Sequence, residues 1–244
     1  MITDSKMRQE VINHLKSLLC DSNNWVKENS KSALKQLSQN EANRSEILNE
    51  QELKRIEQDL KFSIEGSDEQ KKSILQNQEN KLLLLSSILE GQNDNQLLKR
   101  IISTGIVDNL LFIFINRDLN SITRIYSLTF FYLINLASDE VKHLIYIKNP
   151  YPGLIHLLEH SDIDIENDAI TSILFLLQAG SDTTPDTEIH PHYESIQAFD
   201  GIKKLFALFQ KDRSKFSRDR AALCIGFLFR SQQITDSIMR QQII

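Results

Sequence analysis

The 244-residue sequence predicts an all-α fold, a solenoid of about five stacked helical repeats. Three observations predict it. The first is the apolar pattern I-x-x-L-x-x-L-F at Ile202, Leu205, Leu208 and Phe209, which four earlier stretches repeat. The copies start at 12, 53, 107, 151 and 202, in steps of 41, 54, 44 and 51 residues. Self-similarity at about 40–47 residues is the mark of a helical solenoid. The second is a scarcity of breakers. There are 7 Gly and 4 Pro, and all four prolines (Pro150, Pro152, Pro185, Pro191) lie in one stretch. Strand-rich folds need frequent turn residues, so most of this chain favours helix. The third is composition: 41% hydrophobic and 25% charged residues suit a packed globular chain.

Taken in order, the pattern opens at Ile12, Leu15, Leu18 and Leu19, with a looser copy at Leu53, Ile56 and Leu60. It returns at Val107, Leu110, Ile113 and Phe114, then at Tyr151, Leu154, Leu157 and Leu158. A longer amphipathic segment follows each copy, with a small or polar residue and apolar residues four and seven positions on. These are Ser30/Leu34/Leu37, Lys81/Leu85/Ile88, Thr129/Leu133/Leu136, Ala169/Ile173/Leu176 and Ala221/Ile225/Leu228. Offsets of four and seven put the three side chains on one helical face. Lys81 breaks the small-residue rule, so that register is the loosest. Short helices at 95–103, 140–148 and 193–199 lead into Gly105, Pro150 and Gly201. Glycine accepts positive φ and permits a sharp turn; proline ends one helix and opens the next. The segments 63–78 and 180–192 read as insertions, which repeat proteins place in loops. Residues 231–244 read as the opening helix of an incomplete sixth repeat, as in a fragment or an incomplete gene model. That predicts a ragged or partner-covered C-terminal end, because solenoid ends need a polar cap.

Charge is uneven. Residues 101–200 carry 4 basic and 14 acidic side chains, a balance of −10, and residues 201–244 carry 9 and 3, or +6. The acidic average argues against a nucleic-acid partner. The longest apolar run, 128–137, is interrupted by Thr129 and Asn135 and is too short for a membrane span. The N-terminus lacks the apolar core of a signal peptide. Cys20 and Cys224 are far apart and form no zinc or disulfide spacing. These features predict an intracellular protein, cytoplasmic or nuclear, with reduced thiols.

Three stretches could carry metal chemistry, each with a blander reading. His156, Glu159 and His160 match H-x-x-E-H, an inverted zinc-peptidase signature. Leu157 and Leu158 belong to the apolar pattern, however, which explains the segment as a core helix with a surface histidine pair. Asp162, Asp164, Glu166 and Asp168 are spaced like the start of a calcium loop. Asn167 holds the glycine turn and Ile173 the closing glutamate. Helix-opening acids favoured by the helix dipole are the better account. His190 and His192 read as part of a polar loop. The expectation is therefore no catalytic residue, no metal and no cofactor. A basic run, Lys211, Arg213, Lys215, Arg218 and Arg220, precedes the last long helix, where the dipole does not favour cations.

The order of short helix, glycine turn, I-x-x-L-x-x-L helix and longer helix resembles the armadillo repeat family. The nearest matches are Thr104-Gly105-Ile106-Val107 and the stretch from Phe131 to Ala137, and HEAT-type stacking is the near alternative. The resemblance covers most of the chain, which reads as a single armadillo-like domain over 1–244. It implies a right-handed superhelix in which the third helix of each repeat lines a concave face. It also implies paired groove positions, where peptide-binding members carry Trp and then Asn. Here these are Ser32 and Gln36, Leu83 and Ser87, Phe131 and Asn135, Thr171 and Phe175, and Leu223 and Phe227. Only Asn135 keeps asparagine and none keeps tryptophan.

The resulting expectation is a non-catalytic scaffold or adaptor that binds a protein or peptide segment. Its groove contacts would be Phe131, Asn135, Thr171, Phe175, Leu223 and Phe227, with Lys211, Arg213, Lys215 and Arg218 a secondary basic contact. Such a chain would be monomeric unless its C-terminal end is covered. The alternatives are an import-receptor-like peptide reader, which would need acidic groove residues that these positions lack, or a regulatory subunit of an enzyme complex. A zinc hydrolase is the remote one.

Overall fold

The computed structural model describes residues 5–211 and 214–243. Its fifteen α-helices among these residues, with no strand, fall into five consecutive units. The first unit is α1 (Ser5–Leu18) and α2 (Asn24–Leu37). The second is α3 (Glu41–Ile47), α4 (Glu50–Lys61) and α5 (Asp68–Leu89). The third is α6 (Asn95–Ser103), α7 (Ile106–Asn116) and α8 (Arg124–Asn135). The fourth is α9 (Asp139–Tyr146), α10 (Tyr151–Leu157) and α11 (Ile163–Ser181). The fifth is α12 (Tyr193–Gln197), α13 (Gly201–Gln210) and α14 (Lys215–Leu228), and α15 (Ser237–Ile243) follows it. The long helices α2, α5, α8, α11 and α14 pack in succession, as do the middle helices α4, α7, α10 and α13.

The apolar pattern is the core. Ile12, Leu53, Val107, Tyr151 and Leu205 are buried, and so are Leu34, Leu85, Leu133, Ile173 and Ile225 on the long helices. Each such side chain contributes about 1.5–3 kcal/mol through removal of apolar surface from water. Lys81 keeps the register of its helix although it is not small. Its ammonium reaches Glu52 at 3.1 Å, and Lys16 reaches the same carboxylate at 2.9 Å. Burial alone would raise the Glu52 carboxyl, but the bonds from the two lysines hold it below its ordinary value. The loosest register is thus fixed by charge. Leu136 departs from expectation: it caps α8 and is exposed.

Polar bonds carry the same period. Lys99 meets Glu140, Lys148 meets Asp108, Arg124 meets Asp164 and Tyr146 meets Ser195, with partners 40 to 49 residues apart. Each bond ties a unit to its neighbour at an equivalent point. Asn23, Asn40, Asn49, Ser67, Asp94, Ser138, Asp162 and Ser214 each accept a backbone N–H at a helix start. Such caps contribute about 1 kcal/mol each.

Turn chemistry matches expectation at one glycine and departs at another. Gly105 adopts φ 91° before α7. Before α13 it is Asp200 that takes the left-handed conformation, at φ 54°. Gly201 is required for a different reason: a Cβ there would come within 2.6 Å of Ile155 and Ile196 side-chain carbons. Before α10, Asn149 makes the left-handed turn at φ 55° and Pro152 sits in the first helical turn.

Both insertions differ from the expected loops. Most of 63–78 is helix, because Ser67 and Gln70 form a reciprocal capping box that starts α5 early. The 180–192 segment extends α11 to Ser181 and then folds back into the protein. His190 and His192 are buried, not parts of a solvated polar loop. The backbone N–H of His192 donates to His190 Nδ1, so the His190 proton sits on Nε2 and is donated to the Leu177 carbonyl at 2.9 Å. The His192 ring stacks on Tyr146 with centroids 3.7 Å apart, and its Nδ1 lies 2.6 Å from the Tyr151 hydroxyl. Gly180 leaves the notch for this ring, since a Cβ there would lie 2.7 Å from it.

Candidate binding groove

The expected groove residues fall into three groups. Phe131 and Asn135 project from α8 and Phe175 from α11, all half-buried. The rings of Phe131 and Phe175 stack across the two helices with centroids 6.3 Å apart and planes 26° apart. Tyr132 extends this aromatic surface, its ring centroid 5.6 Å from that of Phe131. The Asn135 amide makes no hydrogen bond with the described residues. Thr171 departs from expectation: it is 4% exposed and its hydroxyl donates to the Asn167 carbonyl. Buried in this way, it offers a groove partner no contact.

Leu223 and Phe227 form a separate site. They line an open trough of about 890 Å³ along α14, with Ala222, Gly226 and Arg230. Its borders are acidic: Asp182 and Asp186 from the second insertion, and Asp219 from α14. The sequence places Asp182 and Asp186 in a loop, and folding brings both to the trough. Arg230 is held there by the carbonyls of Glu188 and Ser181 and by the Thr184 hydroxyl.

Described residues of the basic run engage separate partners. Lys215 pairs with Asp219. The Arg220 guanidinium lies over the Phe216 ring, 3.2 Å from its centroid. Lys211 stands 4.0 Å from the buried Glu166 carboxylate. Arg213 lies outside the described residues.

The metal-like motifs resolve into structural bonds. Helix α10 ends at Leu157, so His156 and His160 do not share a helix. His156 Nδ1 donates to the Phe114 carbonyl at 2.6 Å. His160 Nδ1 accepts from the Asp162 N–H, so its Nε2 donates to the Leu119 carbonyl at 2.8 Å. These imidazoles staple a unit to the one before, and they are not a free surface pair. The carboxylates at 162–168 diverge. Asp162 caps α11, Asp164 pairs with Arg124 at 2.7 Å, and Asp168 accepts from Ser127 at 2.8 Å. Burial pushes the Cys224 thiol well up, which keeps it protonated and unreactive.

Sequence reasoning missed the polar links between successive long helices. Lys35 meets Glu90, Thr123 meets Glu79 and Ser217 donates to Asn167. The available signal was charged and polar residues recurring on successive long helices about one repeat apart. It also missed a hollow of about 580 Å³ beside the first insertion, walled by the exposed rings of Phe62 and Phe112.

This succession of short, middle and long helices defines an armadillo-like helical repeat fold. Comparison with solved structures shows the same architecture. An engineered protein from the Northeast Structural Genomics Consortium aligns with a TM-score of 0.60 at 15% identity, over 95% of this chain and 85% of its own. A designed armadillo repeat protein in complex with the peptide (KR)4 aligns at 0.58 and 13% identity, over 93% and 87%. Computationally designed armadillo repeat proteins for modular peptide recognition align at 0.58 and 14% identity, over 96% and 86%. No protein-family description and no curated protein matches the chain in sequence. Among the described residues no helix is long and apolar enough to cross a membrane.

Proposed function

We propose that this protein is a non-catalytic scaffold that holds an apolar segment of a partner protein against the middle of its concave face. The observation that carries this reading is the stacked, half-buried Phe131–Phe175 pair beside the unbonded Asn135 amide. Aromatic rings in a partly desolvated groove supply binding energy, and a nearby amide supplies direction. An amphipathic helix or an extended segment with one bulky apolar residue fits this pair. The peptide-binding purpose of the designed neighbours agrees with the reading, although likeness at that identity bears on fold alone.

The test compares the intact protein with a Phe131→Ser/Asn135→Ala variant whose helicity is verified by circular dichroism. Partners are captured quantitatively, and their affinities are then measured by titration. Loss of about 2 kcal/mol, roughly thirtyfold in affinity, is the expected outcome. Unchanged partners and affinities would remove the mid-groove from consideration.

A further inference from the structure

The second insertion builds a recess as it folds back. Between α9, the C-terminal end of α11 and Pro191 lies a largely apolar hollow of about 300 Å³. Its walls include Tyr146, Leu176, Ala179 and Gly180. His192 lines it too, with only 4% of its surface exposed. A Cβ on Gly180 would lie 2.8 Å from His192 Nε2, so that edge of the ring turns to the Gly180 wall while the Nδ1 edge turns to Tyr151. Among the described residues nothing hydrogen-bonds to Nε2, and the atom is not sealed off.

Counting protons decides what Nε2 carries. The Tyr151 side chain is fully buried, and His192 Nδ1 is the hydrogen-bond partner of its hydroxyl. Were Nδ1 the donor, the tyrosine proton would be left in the core without an acceptor, which protein interiors avoid. Tyr151 therefore donates to Nδ1, and the neutral imidazole holds its own proton on Nε2. The outcome is an N–H donor on the wall of an apolar hollow, fixed by the Tyr146 stack and the Tyr151 bond. A pocket with an apolar lining and one well-placed polar group selects its ligand by shape and by that bond.

We propose that this hollow binds a small uncharged molecule, an apolar body carrying one carbonyl acceptor for the His192 Nε2–H. Size sets the first limit: about 300 Å³ lies at the lower end of ligand pockets, which suits one compact molecule and not a peptide segment. Charge sets the second. An anion would approach past the exposed carboxylates of Asp139 and Glu140, and these already engage Lys142 and Lys99. Burial, with His190 and His143 nearby, lowers His192 to about 3, so near neutral pH the ring shares a proton and supplies no positive charge. A cation would meet a donor at Nε2 where it needs an acceptor. The hollow uses none of the mid-groove residues, so it stands apart from the partner site.

Nuclear magnetic resonance of nitrogen-labelled histidine rings in the full chain tests the tautomer, with the His192 signal assigned by its loss in His192→Phe. The proton should sit on Nε2; a proton on Nδ1 would overturn the proposal. Three probes of similar size then test the ligand class: acetophenone, ethylbenzene, which lacks the acceptor, and benzoate, which is charged. Acetophenone should bind and shift the His192 Nε2 signal. Ethylbenzene should bind about tenfold more weakly through loss of one hydrogen bond, and benzoate no better than ethylbenzene. Ala179→Leu fills the hollow and should abolish the shift. Thr183→Trp, at an exposed position of the rim, should do the same and serves where Ala179→Leu fails to fold. Phe131→Ser/Asn135→Ala should bind acetophenone as the intact protein does. No binding of acetophenone, equal binding of ethylbenzene or benzoate, or binding indifferent to both hollow variants would each sink the idea.

Discussion

Asp168 shows how one residue can oppose the fold that contains it. Burial lifts its carboxyl to about 6, against the opposing pull of the Ser127 hydroxyl and Arg124. A carboxyl raised in the folded state loses its proton more readily when unfolded, so it destabilises the protein as pH rises through 4 to 6 and remains a cost above that. Asp168→Asn keeps an acceptor for Ser127 and removes the charge. It should raise the unfolding free energy by about 3 kcal/mol at pH 7 and by much less at pH 4, as read from urea denaturation at the two values. Single residues also mark the limit of the sequence. Which positions are apolar and periodic was legible, so the core was. Whether Thr171 or Leu223 is covered was not, because both occupy the same repeat position and only the presence of a further helix separates them.

At the level of elements, the short helices, glycine turns and long helices were legible because periodicity and breakers encode them locally. The insertions were not, since their structure depends on distant partners: Tyr146 and Tyr151 for His192, and the Leu177 carbonyl for His190. This buried pair makes a pH prediction. Burial, helped by the neighbouring His190 and His143, lowers His192 to about 3, and burial lowers His190 too. The folded state therefore keeps both rings neutral while the unfolded chain protonates them below its ordinary value near 6.5. Stability is fully present above that value and falls as pH drops toward 3, by about 1.4 kcal/mol per pH unit for His192 alone. Asp168 runs the other way in part of this window, so the measurement belongs in the Asp168→Asn background. There, His192→Phe should flatten the acid slope of the urea midpoint between pH 6.5 and 4. An equally steep slope would place the acid sensitivity elsewhere.

Across the whole molecule, stability is distributed as in a stack, where each unit leans on two neighbours except at the ends. The largest fully buried rings, Phe114, Tyr126, Phe130 and Tyr151, all lie in the third and fourth units. The first unit exposes Trp25 and Val11, and the fifth exposes Leu223. Hydrogen exchange should therefore be slowest in α7, α8, α10 and α11 and fastest in α1 and α15. Uniform protection from α1 to α14 would mean that the units open together. The self-similar sequence gives the number and order of units; their unequal burial arises from which neighbours each unit has.

The folded-back insertion bears on how such a protein can be rearranged. Repeat units are natural parts for exchange, and cutting between them is the obvious way to build chimaeras. At the junction of the fourth and fifth units that cut would separate His192 from Tyr146 and Tyr151, and the Gly180 notch from the ring that fills it. Residues 146–192 behave as one indivisible cassette, and any transplant of the fourth unit has to carry the lead-in of the fifth. The joint at Gly91, between the second and third units, is the better seam, because a local left-handed turn at φ 76° makes it and nothing lies within 4 Å of where its Cβ would sit.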